Sequence, residues 1–510
     1  MKFFTLLSAL ILAPMFAIAA GQIRIVNSDG QPISGATVII GNEVGDDQGR
    51  TLVTDVNGYF PIPEDWKSLQ SLSIRAQNYI PTTFLQLEPQ AVELQIHRQD
   101  SRRYYEVKGN AVGFENIKKD GKVDVGLVYP ALSRRDLLQF DISSVVSPET
   151  DEIKVITEKV GVPSNLSLPK QRESYVLPIT LNKPQYRMFV RKPGTYRVTA
   201  NHGQFPLKRV IKDIQAGKSL FEVINLFRFK SAGQMEMTIT DDMEGQDISV
   251  NQIKFDQAVE MVAPQIPEKT GVVSAAMVDQ GGLFFPTDIK GLKSGQTKKL
   301  KVPTGSKAFV LSLLTQEPER DENLLNFDGQ FGMQVFRSEL STAAQASQDV
   351  IGVLEFFENS FNLAQFEEVE EKPELGGVSL ALESAEGVVS PKFLDLVAEP
   401  TKLDDRRFAM NVPSSISDVQ PVATYLILSE IESSSNGDKD FAAEKRFRVW
   451  ESFQTGWPAE VALPELDIKL EEGKQYRWEV MFLGRKADFN DNPAYFLDGI
   501  THVTRTSLDL

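Results

Sequence analysis

The chain has 510 residues, no cysteine, and 70 acidic against 54 basic side chains, giving a net charge of −16. The lack of cysteine excludes disulfides, thiolate metal sites, a cysteine nucleophile and the lipid-attachment cysteine of a lipoprotein. The negative field repels phosphate backbones and anionic lipid, so no nucleic-acid partner is expected, and core burial alone must hold about three or four domains together.

At the N-terminus Lys2 precedes an almost unbroken apolar run from Phe3 to Ile18, and Ala17-Ile18-Ala19 has the small-x-small form of a cleavage site, with Ala20 a second choice. The run is short for a membrane span and no stop-transfer pattern follows it. Residues 1–20 are therefore predicted to be a signal peptide. The expected location is the periplasm, the outer cell surface or the medium, with no transmembrane span after cleavage. From residue 22 to 99 a small sandwich is predicted. Ile23 and Ile25 alternate with Arg24, Asn27-Ser28-Asp29-Gly30 is a turn, and Val38-Ile39-Ile40 is a strand. Asn57-Gly58 is a hairpin dipeptide feeding Tyr59 and Phe60, and further strands fall at 72–76 and 92–96.

The strings VNSDGQPISGATVII (26–40) and TDVNGYFPIP (54–63), followed by RAQNYIPTT (75–83), resemble the carboxypeptidase regulatory-like, or transthyretin-like, family. Asn78 stands where that family usually has glycine, and asparagine also enters the left-handed region. The resemblance covers residues 22–97 only. It implies a β-sandwich, an exported modular setting, and no catalytic residue within this module.

Residues 104–262 mix periods. Strands are predicted at 123–128, 186–190 and 193–198, whereas Val210, Ile211 and Ile214, then Leu220, Val223, Ile224 and Phe227, recur at helical spacing. Two short helices interrupted at Gly217 are expected there. Pro264-Gln265-Ile266-Pro267 reads as a linker into a β-sandwich-like domain at 268–368, where KKLKVPTGSKAFVLSLLT (298–315) gives a lysine-rich strand, a turn and an apolar strand. The acidic run 367–374 reads as a second linker, and 375–510 as a fibronectin III- or Ig-like β domain. LEEGKQYRWEV (470–480) resembles the fibronectin type III corner, with Glu472 in place of the usual proline. That resemblance implies that the Tyr476 hydroxyl bonds backbone upstream. The expected fold class is mainly β: tandem β-sandwich domains, with a small α+β region in the second.

No residue is nominated as catalytic, cofactor-binding or metal-ligating. His97, His202 and His502 lie in separate regions and in no H-E-x-x-H pattern, and each reads as a surface or turn histidine. No G-x-S-x-G elbow and no phosphate-binding glycine loop occurs. The runs 241–247, 436–440 and 488–492 gather hard side-chain oxygens of Asp, Asn, Glu and Gln, so they read first as solvated turns and second as calcium loops. Calcium is the sole cofactor considered. Trp450, Phe453 and Trp457 form an aromatic cluster, read as core before ligand platform. The function expected is that of an exported cell-envelope or surface protein that binds protein or polysaccharide and is not an enzyme. The alternative is a secreted hydrolase of carbohydrate or peptide, with two carboxylates in the central region.

Overall fold

The computed structural model describes residues 21–28, 30–41, 49–99, 105–113, 123–133, 184–190, 193–206, 209, 213, 220–268, 270–316, 337–338, 378–404, 406–414, 418–433, 444–462, 470–471, 473–486 and 499–509. These fall into two compact units, one within residues 1–99 and one within 100–510. The predicted signal peptide, Gly217 and the runs 436–440 and 488–492 lie outside the described residues.

The first unit contains β1 (Gln22–Val26), β2 (Thr37–Ile40), β3 (Arg50–Val53), β4 (Tyr59–Pro61), β5 (Gln70–Arg75), β6 (Thr82–Leu87) and β7 (Glu93–Gln95). In one sheet β1 pairs antiparallel with β4 and parallel with β7. In the other, β2 lies between β3 and β5, and β5 pairs with β6. Ile23, Ile25, Phe60 and Leu94 are the buried alternates of the first sheet, and Val38, Ile40, Leu72 and Ile74 those of the second. One side chain ties the two motif strings together. Thr54 Oγ1 donates to the Ile33 carbonyl at 2.7 Å and accepts from the Ala36 amide at 2.9 Å. Next to it, Asp55 Oδ1 accepts from the Asn57 and Tyr59 amides, closing the turn. Gly58 has φ +79°, and a Cβ there would sit 2.5 Å from the Ile25 carbonyl oxygen. Asn78 occupies the left-handed region at φ 67°.

The second unit begins with β8 (Tyr105–Val112), β9 (Val123–Pro130), β10 (Leu132–Ser133), β11 (Pro184–Val190), β12 (Gly194–Phe205), the short helix α1 (Leu220–Val223), β13 (Arg228–Ile239), β14 (Ile248–Ser249) and β15 (Ile253–Lys254). β8 and β11 form one sheet with β14, while β12 lies between β9 and β13 in the other. Val107, Tyr186, Met188, Val198, Met237 and Ile248 fill the core. Gly109 permits the closest approach here, because a Cβ would fall 1.6 Å from the Gln246 carbonyl oxygen. Of the two helices expected between 207 and 227, the first falls almost wholly outside the described residues, and Arg209 and Asp213, which are described, are helical. Among the residues described there, α1 passes into a single 3-10 turn, Ile224–Leu226. Phe227 is already extended and packs with Tyr129, Phe229 and Phe255. Tertiary packing of the aromatic rings overrides the helical period.

Next come β16 (Gln257–Val262), β17 (Thr270–Gln280), β18 (Leu283–Leu292), β19 (Thr297–Val302), β20 (Ala308–Gln316), β21 (Arg337–Ser338), β22 (Val378–Ser384) and β23 (Val388–Val389). β16 pairs with β19 and β23, and faces a sheet in which β17 pairs with β18 and β20. Val259, Met261, Val272, Leu300, Val310 and Leu314 share the core between them. The expected border at 262–268 is thus displaced. β16 belongs to this sandwich, and Pro264–Pro267 joins its two sheets, because the inward alternation of Val259, Met261 and Ala263 is completed only by β19 and β17.

The last strands are β24 (Thr401–Lys402), β25 (Arg407–Ala409), β26 (Val419–Ser433), β27 (Glu444–Thr455), β28 (Glu460–Ala462), β29 (Gln475–Lys486) and β30 (His502–Asp509). β26 is paired on both sides, with β27 and β29, and β29 continues to β30. Trp478 is packed by Trp450 at 5.3 Å and by Phe408 of the small β24-β25-β28 sheet at 5.7 Å. The linker expected at 367–374 lies outside the described residues. β22, beyond it, pairs with β20 on one edge and with β30 on the other.

Replacing Thr54 with Val keeps the shape but leaves the buried Ala36 amide without its acceptor. A loss of roughly 1–3 kcal/mol is expected, measurable by denaturant unfolding of the full chain, whereas Thr54→Ser should lose much less.

Candidate functional site

The three histidines are all interior residues. His97 and His502 are each 1 % exposed and His202 4 %, which corrects their reading as surface or turn residues. His202 sits at a bulge of β12, where the following glycine belongs to the strand and not to a turn. His502 opens β30 beside β22. Its Nδ1 meets Thr501 Oγ1 at 2.8 Å, and Nε2 lies 3.9 Å from Glu383 Oε1. Glu383 is itself paired with Lys486 at 2.9 Å. Burial, reinforced by the nearby Lys486 charge, brings the His502 pKa down to about 4. His502 is therefore a neutral group in the joint between two sandwiches.

The acidic loop 241–247 is bound to its own scaffold. The Met243 carbonyl accepts from the Lys108 amide of β8 and the Met243 amide donates to the Glu106 carbonyl, so the loop runs alongside that strand. Asp242 Oδ1 accepts from the Glu106 amide at 2.9 Å, and Asp247 Oδ1 accepts from Asn110 Nδ2 at 2.8 Å. Glu244 lies 3.6 Å from Lys108. One oxygen each of Asp242 and Asp247 thus holds the loop to β8. Among the described residues no group of three His, Asp or Glu side chains could hold a metal ion.

A buried carboxylate that the sequence does not single out binds two strands together. Asp288, with 2 % side-chain exposure, takes Lys290 Nζ at 2.7 Å. Its other oxygen accepts from the Lys301 amide in the opposite sheet at 3.0 Å. Thr287 Oγ1 donates to the Lys301 carbonyl at 2.6 Å. Together they clasp β18 to β19 and close one side of the sandwich. The signal was an Asp-x-Lys pair inside the otherwise apolar strand FFPTDIKGL (284–292).

The aromatic cluster is structural. Trp450 and Phe453 are buried, and Phe453 stacks on Tyr425 with centroids 4.4 Å apart. Trp457 is half-buried and donates its indole N–H to the Leu483 carbonyl at 2.9 Å. The Tyr476 hydroxyl accepts from the Glu471 amide at 3.1 Å, bracing the start of β29. No helix among the described residues is long and apolar enough to cross a membrane.

No known family profile matches the sequence, and no curated protein matches it. Solved structures match at low similarity. The Bacillus anthracis TIE protein is 10 % identical, with 60 % of this chain and 48 % of that chain covered and a TM-score of 0.14. The match thus spans about half the length of that protein. The Streptococcal ancillary pilin is 9 % identical, with 59 % and 90 % covered and a TM-score of 0.14. BcpA, the major pilin subunit of Bacillus cereus, is 10 % identical, with 63 % and 95 % covered and a TM-score of 0.14. Likeness at this level carries no argument about what the chain does.

His502 makes stability depend on pH. Its folded pKa, about 4, lies below the ordinary 6.5, so the unfolded chain binds the proton first. Its contribution is full above about pH 6.5 and is lost as pH falls toward 4, on the order of 3 kcal/mol in all. Chemical denaturation between pH 7 and 4 should show this loss, and His502→Gln should flatten that part of the profile.

Proposed function

We propose that the chain is an exported, non-enzymatic protein of the cell envelope or surface that binds an envelope protein or polysaccharide. The observation that carries this reading is β22, hydrogen-bonded on one edge to β20 and on the other to β30. Two sandwiches that share a sheet keep a fixed spacing, which suits presenting several faces to a long partner. The apolar N-terminal run and the resemblance of residues 22–97 to the carboxypeptidase regulatory-like family support export and a modular, binding role. The Tyr476–Glu471 contact supports a fibronectin III-like reading of the last sandwich. The described ionisable groups point the same way, since Asp288, Asp242, Asp247 and His502 are each engaged in holding strands together.

The chain from residue 21 onward, used as bait in an envelope extract, should retain a specific protein or glycan. A calcium chelator decides between the two readings of the acidic runs: unchanged retention marks them as solvated turns, and loss of retention marks them as calcium loops. Retention of nothing, together with hydrolysis of a carbohydrate or peptide in a substrate panel, would replace this reading with the hydrolase.

A further inference from the structure

β22 meets β30 over four register pairs, from Val378 with Arg505 to Ala381 with His502. β20 and β22 share six such pairs, and β29 and β30 share eight. The seam between the two sandwiches is the shortest of these ladders, so it costs the fewest main-chain hydrogen bonds to open. His502 fills its last rung, next to the Leu382 amide that donates to the Thr501 carbonyl at 2.8 Å. Its neighbour on β29 is Gly484, where a Cβ would lie 3.5 Å from the His502 Cβ and 2.6 Å from Val419 Cγ1. The base of the imidazole is therefore closely packed.

The surroundings suit a neutral ring. The Thr501 hydroxyl accepts from the Lys486 amide at 2.8 Å and meets Nδ1 at 2.8 Å, so its own proton goes to Nδ1 and Nδ1 is the acceptor. A second ring proton would land on Nδ1 and turn this bond around. Four charged groups face the ring. Glu383 comes from β22, with Oε1 3.9 Å from Nε2, and Lys486 comes from β29. Lys392 lies between β23 and β24, and Asp418 immediately precedes β26. Glu383 already holds Lys486 at 2.9 Å and Asp418 holds Lys392 at 2.7 Å, so no carboxylate is left over for an imidazolium. Burial is the main reason the ring stays neutral; the Lys392 main chain and Asp418 act against it, and the Lys486 and Lys392 charges act with it.

We propose that His502 is an acid-operated catch on this seam: protonating its ring opens the β22–β30 ladder while each sandwich stays folded. This goes beyond the binding reading and does not depend on it. In the open seam the ring reaches water and takes a proton with its ordinary affinity, so acid favours the open form. The folded pKa of about 4 lies below the ordinary 6.5, so the hold is full above about pH 6.5 and is lost as pH falls toward 4. The ratio of open to closed seams rises roughly a hundredfold between pH 7 and 4. A spacing fixed at neutral pH is thereby released in acid.

The chain contains no cysteine, so spin labels attach only where cysteines are introduced. In the full chain carrying Lys299→Cys on β19 and Thr401→Cys on β24, both exposed, the label-to-label distance should be single at pH 7.5 and broaden at pH 4.5. Hydrogen exchange on the unlabelled chain, corrected for the intrinsic rate at each pH, should lose protection at 378–382 and 501–505 while β17 and β26 keep theirs. His502→Gln should abolish both changes. Lys486→Met should shift the opening to lower pH, because Glu383 can then pair with the imidazolium, whereas a merely structural loss at Lys486 would shift it upward. The proposal is overturned if the distance stays single at pH 4.5, if all strands lose protection together, or if His502→Gln opens as the wild type does. Should His502→Gln fail to fold, the direction of the Lys486→Met shift decides.

Discussion

β22 is a seven-residue strand, yet the second unit depends on it. Its one edge completes the sandwich built on β16 to β20, and its other edge starts the sheet that runs through β30, β29, β26 and β27. Every pairing there uses main-chain groups, which must be satisfied wherever water is excluded. Ser379 and Ala381 are fully buried at this seam, and the Leu382 amide extends the ladder to the Thr501 carbonyl at 2.8 Å. Two domains joined by a flexible linker would be free to swing, whereas a shared ladder fixes their spacing.

The preceding junction is made differently. Tyr129, Phe229 and Phe255 from one sandwich pack with Val278 and Phe285 from the next. Asn225 then acts as a side-chain substitute for a strand, donating to the Gly291 carbonyl at 2.9 Å and accepting from the Gly291 amide at 3.1 Å. Arg197 adds a bond to the Gln280 carbonyl at 2.8 Å. An aromatic core bordered by directional bonds resists both sliding and hinging. Charge that is buried in these sandwiches is paired: Arg505 with Glu479, and Arg448 with Glu451 at 3.3 Å. An unpaired charge at these positions would cost more than the pair contributes. Acidic excess is thus left to the surface, where it favours solubility.

Local chemistry made much of this readable from the sequence. The alternation of Ile23, Ile25 and Val38, Ile40 marks strands without any tertiary information, and the Asn57-Gly58 dipeptide marks its turn. Tyr476 was placed by its spacing from Leu470, and its hydroxyl contact is short-range, reaching only to Glu471. What escaped depends on partners far along the chain. The run 367–374 is acidic and so resembles a spacer, but nothing local records that β22 pairs with residues as distant as Arg505. His202-Gly203 looks like a turn until β9 and β13 flank it on both sides. Leu220, Val223, Ile224 and Phe227 have helical spacing, yet Phe227 is extended and packs into an aromatic cluster contributed by strands far along the chain.

The claim that these sandwiches act as one body is best tested by hydrogen exchange on the full chain carrying Leu300→Ala, which opens a cavity in the core formed by β16, β17 and β19. If the ladder through β22 couples the two sandwiches, amides of β26 and β29 should lose protection together with those of β17 and β20. Loss confined to residues between 257 and 316, with β26 and β29 protected as before, would contradict it.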